Sequence, residues 1–129
     1  MFRTTLRPAL NFQKTAFVRF NSTVKEITNL KDFRTFVGAP KVSVIDFYAT
    51  WCGPCKALEP IFAALAEKAP EVQFGRVDVD TANDVAHEYG ITAMPTCIFF
   101  ENGLKEDTII GANPQKLISL VKKYGKVDF

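Results

Sequence analysis

The stretch that decides the fold is YATWCGPCKALEP (48–60), in which two cysteines stand three positions apart. It overlaps VSVIDFYA (42–49), a near-continuous apolar, β-branched run that is typical of a strand buried on both faces of a sheet. A helix is predicted from Cys52 to about Ala69. Pro54 suits an early helical position, where its missing N–H would have no partner. The cysteine pair is therefore predicted to lie where a buried strand passes into a helix.

The rest of the chain from Thr23 onward alternates between strand and helix patterns. Asn102-Gly103 predicts the turn of an antiparallel hairpin, and Gly90 predicts a left-handed helix end. Helix-linked strands imply parallel pairing, with helices on both faces of the sheet. The predicted fold class is α/β with a mixed central sheet. Further strands are predicted at 23–27, 72–79, 96–101 and 105–111, and further helices at 30–37, 82–90 and 114–124.

A structural disulfide and a metal site are two alternative interpretations of Cys52 and Cys55. A disulfide between them would close a very small ring and constrain the unfolded chain little. The chain also has three cysteines, an odd number for a disulfide scaffold. Cys97 and His87 could be further zinc ligands, but neither has a ligand partner nearby in the sequence. Heme attachment would need histidine where Lys56 stands. Both interpretations are disfavoured.

A redox-active pair is favoured by the predicted position of the cysteines at the start of a helix. Unpaired backbone N–H groups and the positive end of the helix dipole would stabilise a Cys52 thiolate. Cys55 is nearly one turn further on the same face, so the two sulfurs can reach bonding distance. Thiol–disulfide exchange requires an exposed nucleophilic thiolate and a more buried resolving thiol, and we expect Cys52 to be the exposed one.

Basic residues are concentrated at the start of the chain. Residues 1–21 contain no acidic residue, and the first one is Glu26. This Arg-rich, hydroxyl-containing opening is typical of a mitochondrial transit peptide, and its short apolar runs disfavour a secretory signal. We expect a cleaved transit peptide at 1–21, disordered or weakly helical, and one domain at 22–129 that acts in the mitochondrial matrix. A basic tail without a targeting role is the alternative.

Composition limits the classes of partner. The 129 residues, 47% of them hydrophobic, suit one compact domain with a sizeable core plus a tail. No basic run interleaved with aromatic residues follows residue 25, which disfavours nucleic-acid binding. No apolar stretch approaches the roughly 18–20 residues that a membrane span needs. We therefore expect neither nucleic-acid binding nor membrane insertion.

Four segments of the chain together resemble the thioredoxin family. They occur in the order and spacing of that family, and WCGPCK matches its active-site motif. The resemblance covers roughly residues 23–129. It implies the thioredoxin fold, a central mixed five-stranded β-sheet flanked on both faces by four α-helices. The segments are VIDFYATWCGPCKALEPIF, VQFGRVDVD, YGITAMPTCIFFENG and IIGANP.

The resemblance implies a role for three residues in catalysis. Cys52 would be the nucleophile that attacks a target disulfide, and Cys55 would resolve the resulting mixed disulfide. Asp46 matches the buried acid of the family. Desolvation should raise its pKa, so that it could accept the proton of Cys55. Arg76 stands where the family usually has a lysine near that acid.

The resemblance also implies a substrate groove beside the cysteines. Pro95 matches the cis-proline of the family, which shapes the groove for the substrate backbone. Gly53 and Pro54, between the cysteines, resemble the reducing members of the superfamily. Cys97 is outside the common pattern and is expected to be an inert buried thiol, with a regulatory or glutathionylated thiol as the alternative. The apolar rim of the groove would consist of Trp51, Ala93, Met94 and Gly111.

Together these implications describe a monomeric dithiol reductase of protein disulfides that contributes to redox homeostasis and peroxide defence. The family implies re-reduction by an NADPH-dependent thioredoxin reductase, and peroxiredoxins and methionine sulfoxide reductases among the targets. No bound cofactor or metal is expected beyond the redox-active disulfide Cys52–Cys55. One alternative is an oxidase or isomerase of the same fold, which the lack of histidine between the cysteines disfavours. Another is a binding module or assembly subunit with incidental redox activity.

Overall fold

The computed structural model describes residues 23–129, and the transit peptide predicted at 1–21 lies outside them. The described chain has the predicted element order, and the ends of its elements differ from those expected by at most two residues. None of its helices combines the length and the apolar character needed to cross a membrane. The strands are β1 Val24–Glu26, β2 Val42–Tyr48, β3 Val72–Asp78, β4 Thr96–Glu101 and β5 Leu104–Ile110, and the helices are α1 Leu30–Val37, α2 Gly53–Lys68, α3 Asn83–Glu88 and α4 Pro114–Gly125.

The strands form one mixed sheet in the order β1-β3-β2-β4-β5. The central strand β2 is parallel to β3 and antiparallel to β4, and its five inner residues are all buried. Strands β4 and β5 form the predicted hairpin. Its turn residues Asn102 and Gly103 have φ values of 54° and 83°, the left-handed region that these residue types tolerate best.

Helices cover both faces of this sheet, as predicted. Because successive residues of a strand point to opposite faces, Val44 and Ile45 of β2 belong to different parts of the core. On one side, here called the α2 face, helices α2 and α4 pack over the strands; its buried residues include Leu58, Phe62, Phe99, Leu117 and Val121. On the other side α1 and α3 contribute to a second cluster that includes Phe33, Phe47, Val77, Val85 and Phe100.

One row of register partners crosses all five strands, in the order Glu26, Arg76, Asp46, Cys97 and Ile109. Register partners share a face of the sheet. Since Cys97 and Ile109 belong to the core on the α2 face, the whole row lies there. This cross-strand row is charged towards β1 and apolar towards β5, and it places a carboxyl group, that of Asp46, in the middle of a hydrophobic sheet.

Side chains cap the starts of the longer helices. The Asn29 side-chain oxygen accepts a hydrogen bond from the Asp32 amide at 2.8 Å before α1, and that of Asn113 accepts one from the Lys116 amide at 3.1 Å before α4. Such caps satisfy backbone donors that have no partner within the helix. The N-cap of α2 is Cys52. The first turn of α2 is therefore organised around a sulfur atom.

Candidate active site

The two cysteines are covalently paired at the start of α2. Cys52 has an extended backbone, with φ −93°, and its Sγ accepts a hydrogen bond from the Cys55 amide at 3.2 Å. The Cys52 and Cys55 sulfurs form a disulfide, as predicted. Pro54 occupies the first turn, where it removes no helical hydrogen bond. A Cβ added to Gly53 would meet no atom within 4 Å, so the loop faces open space at that point.

The expected difference in exposure between the two cysteines is not found. Cys52 is 6% exposed and Cys55 is 4% exposed. Both pack with Ala49 in a small cluster that Tyr48 and Met94 also contact. These neighbours cover Cys52 as well as Cys55 in the oxidised pair. The loop that contains Met94 is therefore part of the immediate surroundings of Cys52.

The loop before β4 lies against the cysteine pair. The peptide bond between Met94 and Pro95 is cis, as predicted. The Met94 carbonyl oxygen is 3.7 Å from Cys52 Sγ. The Gly111 amide donates a hydrogen bond to the Pro95 carbonyl at 2.8 Å, and Gly111 has φ 90°. The fold thus brings the Met94 carbonyl to Cys52, which is 42 positions away in the sequence.

The other two predicted rim residues are Trp51, which directly precedes Cys52, and Ala93, which directly precedes Met94. Trp51 is 68% exposed, and its indole Nε1 donates a hydrogen bond to Asp80 Oδ2 at 2.9 Å. A tryptophan this exposed contributes little to the core, which supports a surface role. The Ala93 carbonyl accepts a hydrogen bond from the Thr96 hydroxyl at 2.6 Å, which fixes the loop before the cis-proline.

Asp46 is a buried acid, as predicted, and is 3% exposed. Burial away from solvent is the main cause that raises the pKa of Asp46, which is about 7. The carboxylates Glu59 and Glu26 raise this pKa further, and the positive charge of Arg76 lowers it. A carboxyl group with this pKa changes its protonation state near neutral pH, which suits general acid–base chemistry.

Arg76 is held away from a direct ion pair with Asp46. Its Nη1 lies 3.0 Å from Glu59 Oε2, and its Nε lies 3.6 Å from Glu26 Oε1. Its guanidinium also lies 4.0 Å from the centre of the Tyr48 ring. The Tyr48 hydroxyl donates a hydrogen bond to Glu26 at 2.8 Å, which closes the arrangement. These contacts, here called the Arg76 cage, join Arg76 to Glu26, Tyr48 and Glu59, and the sequence did not predict them.

Cys97 is a buried thiol, as expected, but it is not remote from the site. It is 1% exposed, and its Sγ lies 4.0 Å from Asp46 Oδ1. Burial, together with the charge of Asp46, raises the pKa of the Cys97 thiol well above its ordinary value. Cys97 is therefore a neutral thiol that adjoins the buried acid.

The residues weighed as zinc ligands are not brought together. His87 is exposed on α3, whereas Cys97 belongs to the core on the α2 face, on the opposite side of the sheet. Within residues 23–129 no three histidine, cysteine or acidic side chains form a cluster that could hold a metal ion. The described site is a disulfide, a cis-proline loop and a buried acid.

Curated relatives match most of the chain. The thioredoxin of Coprinus comatus is 47% identical over 102 residues, which are 78% of this chain and 96% of that protein. The mitochondrial thioredoxin-3 of Saccharomyces cerevisiae is 43% identical over 108 residues, or 81% of this chain and 85% of that protein. Thioredoxin-2 of Pyricularia oryzae is 44% identical over 99 residues, which are 77% of this chain but only 58% of that longer protein.

Solved structures show the same fold. The thioredoxin of Malassezia sympodialis superposes with a TM-score of 0.76 at 44% identity, over 79% of this chain and 90% of that chain. A yeast chain from a study of thiol resolving in a mitochondrial 1-Cys peroxiredoxin gives a TM-score of 0.75 at 41% identity, over 81% of this chain and 97% of that chain.

The family model described as Thioredoxin matches residues 23–123, a range that contains every element of the site. Members of this family are disulfide oxidoreductases whose redox group is the disulfide itself. The Cys52–Cys55 bond at the start of α2 is that group in this protein. The fold, the site and the sequence relatives agree, and the chain belongs to the thioredoxin family.

Proposed function

We propose that the protein is a dithiol reductase of target-protein disulfides in mitochondria. The observation that carries this proposal is the position of the Cys52–Cys55 disulfide, beside the cis-proline loop and in the same domain as a buried acid that titrates near pH 7. In the reduced protein the Cys52 thiolate attacks one sulfur of a target disulfide. A Cys52–target bond forms, and the other target sulfur leaves as a thiolate that takes up a proton.

Resolution of this intermediate completes the reaction. Cys55 loses its proton to Asp46, and its thiolate attacks Cys52 Sγ. The Cys52–Cys55 bond forms as the Cys52–target bond breaks, and the second target sulfur leaves. The target gains two electrons and the cysteine pair loses them. Because its pKa is about 7, Asp46 can accept this proton and release it again at neutral pH.

In this proposal the substrate contacts the predicted rim residues beside the cysteine pair. Trp51 supplies an exposed apolar surface next to Cys52 in the sequence. Ala93, Met94 and Pro95 supply the loop that contacts Cys52 through the Met94 carbonyl, and Gly111 is hydrogen-bonded to that loop. A shallow rim of this kind accepts many protein partners loosely, so recognition depends on an exposed disulfide in the target and an extended backbone beside it.

Two serine variants test the dithiol mechanism. With thioredoxin reductase and NADPH, the wild type should reduce insulin disulfides, whereas Cys52→Ser should lose this activity because no mixed disulfide can form. Cys55→Ser is the matched control. It keeps the nucleophile and should accumulate a stable mixed disulfide through Cys52. Insulin reduction by Cys52→Ser at the wild-type rate would refute the mechanism.

The partners are proposed at the level of protein class. We propose that an NADPH-dependent thioredoxin reductase restores the dithiol, and that peroxiredoxins and methionine sulfoxide reductases are among the targets. The similar yeast chain from the peroxiredoxin study supports this choice. Cys55→Ser, incubated with mitochondrial extract, should retain these proteins as adducts that dithiothreitol releases. Cys52→Ser should retain none, and equal recovery by both variants would instead favour a non-redox binding module.

The mitochondrial location is proposed from the basic residues at 1–21 and from the mitochondrial thioredoxin of S. cerevisiae among the relatives. In this proposal 1–21 is a cleaved transit peptide, and 22–129 is a monomeric thioredoxin domain in the matrix. A fluorescent protein fused after residue 22 should enter mitochondria and be shortened there. The same fusion with acidic replacements should stay outside; diffuse fluorescence from both fusions would contradict the proposal. The replaced residues are Arg3, Arg7, Lys14 and Arg19.

A further inference from the structure

The buried carboxyl group of Asp46 has an unusual hydrogen-bond environment. Among residues 23–129, only the Cys97 side chain lies at hydrogen-bond distance from the Asp46 carboxyl group, with 4.0 Å between Cys97 Sγ and Asp46 Oδ1. The nearest cation, Arg76, is directed instead towards Glu59 and Glu26. Buried polar groups in folded proteins nearly always have a hydrogen-bond partner. The thiol of Cys97 supplies the side-chain partner here.

The sheet fixes this contact. Asp46 and Cys97 are register partners of the antiparallel strands β2 and β4, so their side chains emerge side by side on the α2 face. Both residues are almost completely buried. The sulfur remains protonated, since burial and the charge of Asp46 raise the pKa of Cys97. A neutral thiol is a weak donor, and a carboxylate oxygen can only accept.

We propose that Cys97 is a positioning residue that donates a hydrogen bond to Asp46, orients its carboxyl group and favours the charged form that accepts a proton from Cys55. The consequence for the reaction rests on the proposed function, in which Asp46 is that acceptor. A donor to the charged form of an acid opposes the effect of desolvation. Cys97 thereby favours the ionisation of Asp46 at a site that is almost completely buried.

Other charged groups also act on Asp46 from the elements packed around it. Arg76 of β3 favours its charged form, whereas Glu26 of β1 and Glu59 of α2 favour its neutral form. The Cys52–Cys55 disulfide of the oxidised protein carries no titrating group. Substitution of Cys97 changes none of these charges. A change in the titration of Asp46 would therefore report the lost hydrogen bond rather than an altered field.

Carbon-13 NMR of the Asp46 carboxyl group in the oxidised full chain measures the proposed effect directly. Cys97→Val removes the donor and retains an apolar side chain of similar size. Its titration midpoint should move upward from the wild-type value by roughly 0.5–1 pH unit. Cys97→Ser retains a hydroxyl donor and should titrate within about 0.3 pH unit of the wild type. If the valine variant does not fold, Cys97→Ala tests the same loss.

Ile109→Val is the matched packing control. Ile109 is the register partner of Cys97 on β5 and is buried in the same core, but it has no polar atom. This variant should lose thermal stability without moving the Asp46 midpoint. The proposal is overturned if Cys97→Val titrates like the wild type, or if Ile109→Val causes an equal shift.

The rate of insulin reduction separates this proposal from the proposed function. Cys97→Val should be slower than the wild type near pH 7 and should approach it by about pH 9, where Asp46 is ionised in both proteins. In an Asp46→Asn background the same substitution should have no further effect on the rate. If the wild type reduces no disulfide, the proposed function fails, and the carboxyl titration still decides whether Cys97 bonds to Asp46.

Discussion

Arg76 shows how a single residue can set the charge around the buried acid without touching it. Two carboxylates and the ring of Tyr48 hold its guanidinium beside Asp46. Arginine side chains in proteins carry a positive charge at ordinary pH. The positive charge opposite Asp46 is therefore permanent, whereas the lysine usual at this position could lose its proton.

Removal of this charge should make Asp46 a weaker acid. In Arg76→Met the opposing cation is gone, while desolvation and the carboxylates Glu26 and Glu59 still favour the neutral form. We expect the Asp46 midpoint in a carboxyl NMR titration to rise above its wild-type value of about 7. Arg76→Lys, which retains the charge below its own pKa, is the control. An unchanged midpoint in Arg76→Met would show that the cage does not act on Asp46.

The sequence predicts the residues of the site better than it predicts their contacts. Cys52, Cys55, Asp46 and Pro95 all belong to short matched segments. The structure pairs the two cysteines, buries Asp46 and makes the bond before Pro95 cis, but it buries Cys52 as much as Cys55. The contact between Asp46 and Cys97 joins residues that are 51 positions apart. It depends on the register of two antiparallel strands, and an apolar strand sequence does not specify that register to the residue.

At the scale of single elements, strand β3 depends on a residue without a side chain. A Cβ at Gly75 would lie 2.9 Å from Ile27 Cδ1, 3.0 Å from Ile45 Cδ1 and 3.0 Å from Phe36 Cε2. Two of these neighbours are fully buried, so they have little room to move. Gly75 lets α1 and the segment after β1 pack closely on the sheet.

Gly75→Ala should therefore lower the free energy of unfolding by about 1–3 kcal/mol, because the packed side chains must shift. Gly53→Ala is the matched control, since a Cβ there meets nothing within 4 Å. It should stay within about 0.5 kcal/mol of the wild type. Urea unfolding of the oxidised proteins measures both. Equal stability of the two variants would contradict this account of β3.

The order of the elements could be predicted because each one has regularly spaced apolar residues in the sequence and a clear signal at its end. Helix α3 illustrates both the success and the limit. Gly90 has φ 61°, and the hydrogen bonds from Gly90 to His87 and from Ile91 to Ala86 close the helix as a glycine C-cap does. The predicted helix nevertheless extends to residue 90, whereas α3 ends at Glu88. Backbone hydrogen bonds decide where a helix ends, and composition alone predicts that position only to within a residue or two.

At the scale of the whole molecule, Asp46 links folding to pH. Its pKa rises from 3.8 to about 7 on folding, so between these values the folded protein binds more protons than the unfolded chain. The contribution of Asp46 to stability is therefore fully present below about pH 4. As the pH rises from about 4 to 7, this contribution to the free energy of unfolding falls by about 4 kcal/mol in all. Above about pH 7 it changes little.

Asp46→Asn should abolish this part of the pH dependence. The variant should unfold at higher urea concentration than the wild type at pH 8, and the difference should shrink at pH 4.5, because both side chains are then neutral. Urea unfolding at the two pH values measures the effect, and all other titrating groups are shared. Insulin reduction by the same variant should be slower at pH 7. Parallel stability curves for the two proteins would contradict the raised pKa.

The order of the sheet also bears on how the protein behaves at high concentration. Within residues 23–129, each outer strand of the sheet has one row of backbone groups without a strand partner, and such rows can pair with another chain. On one side β1 has only three residues, too few to serve as a good template. On the other side β5 is long, but Lys105, Glu106 and Asp107 follow one another along it. The shortness of β1 and the charged residues of β5 are thus features that disfavour intermolecular β-pairing at the two edge strands.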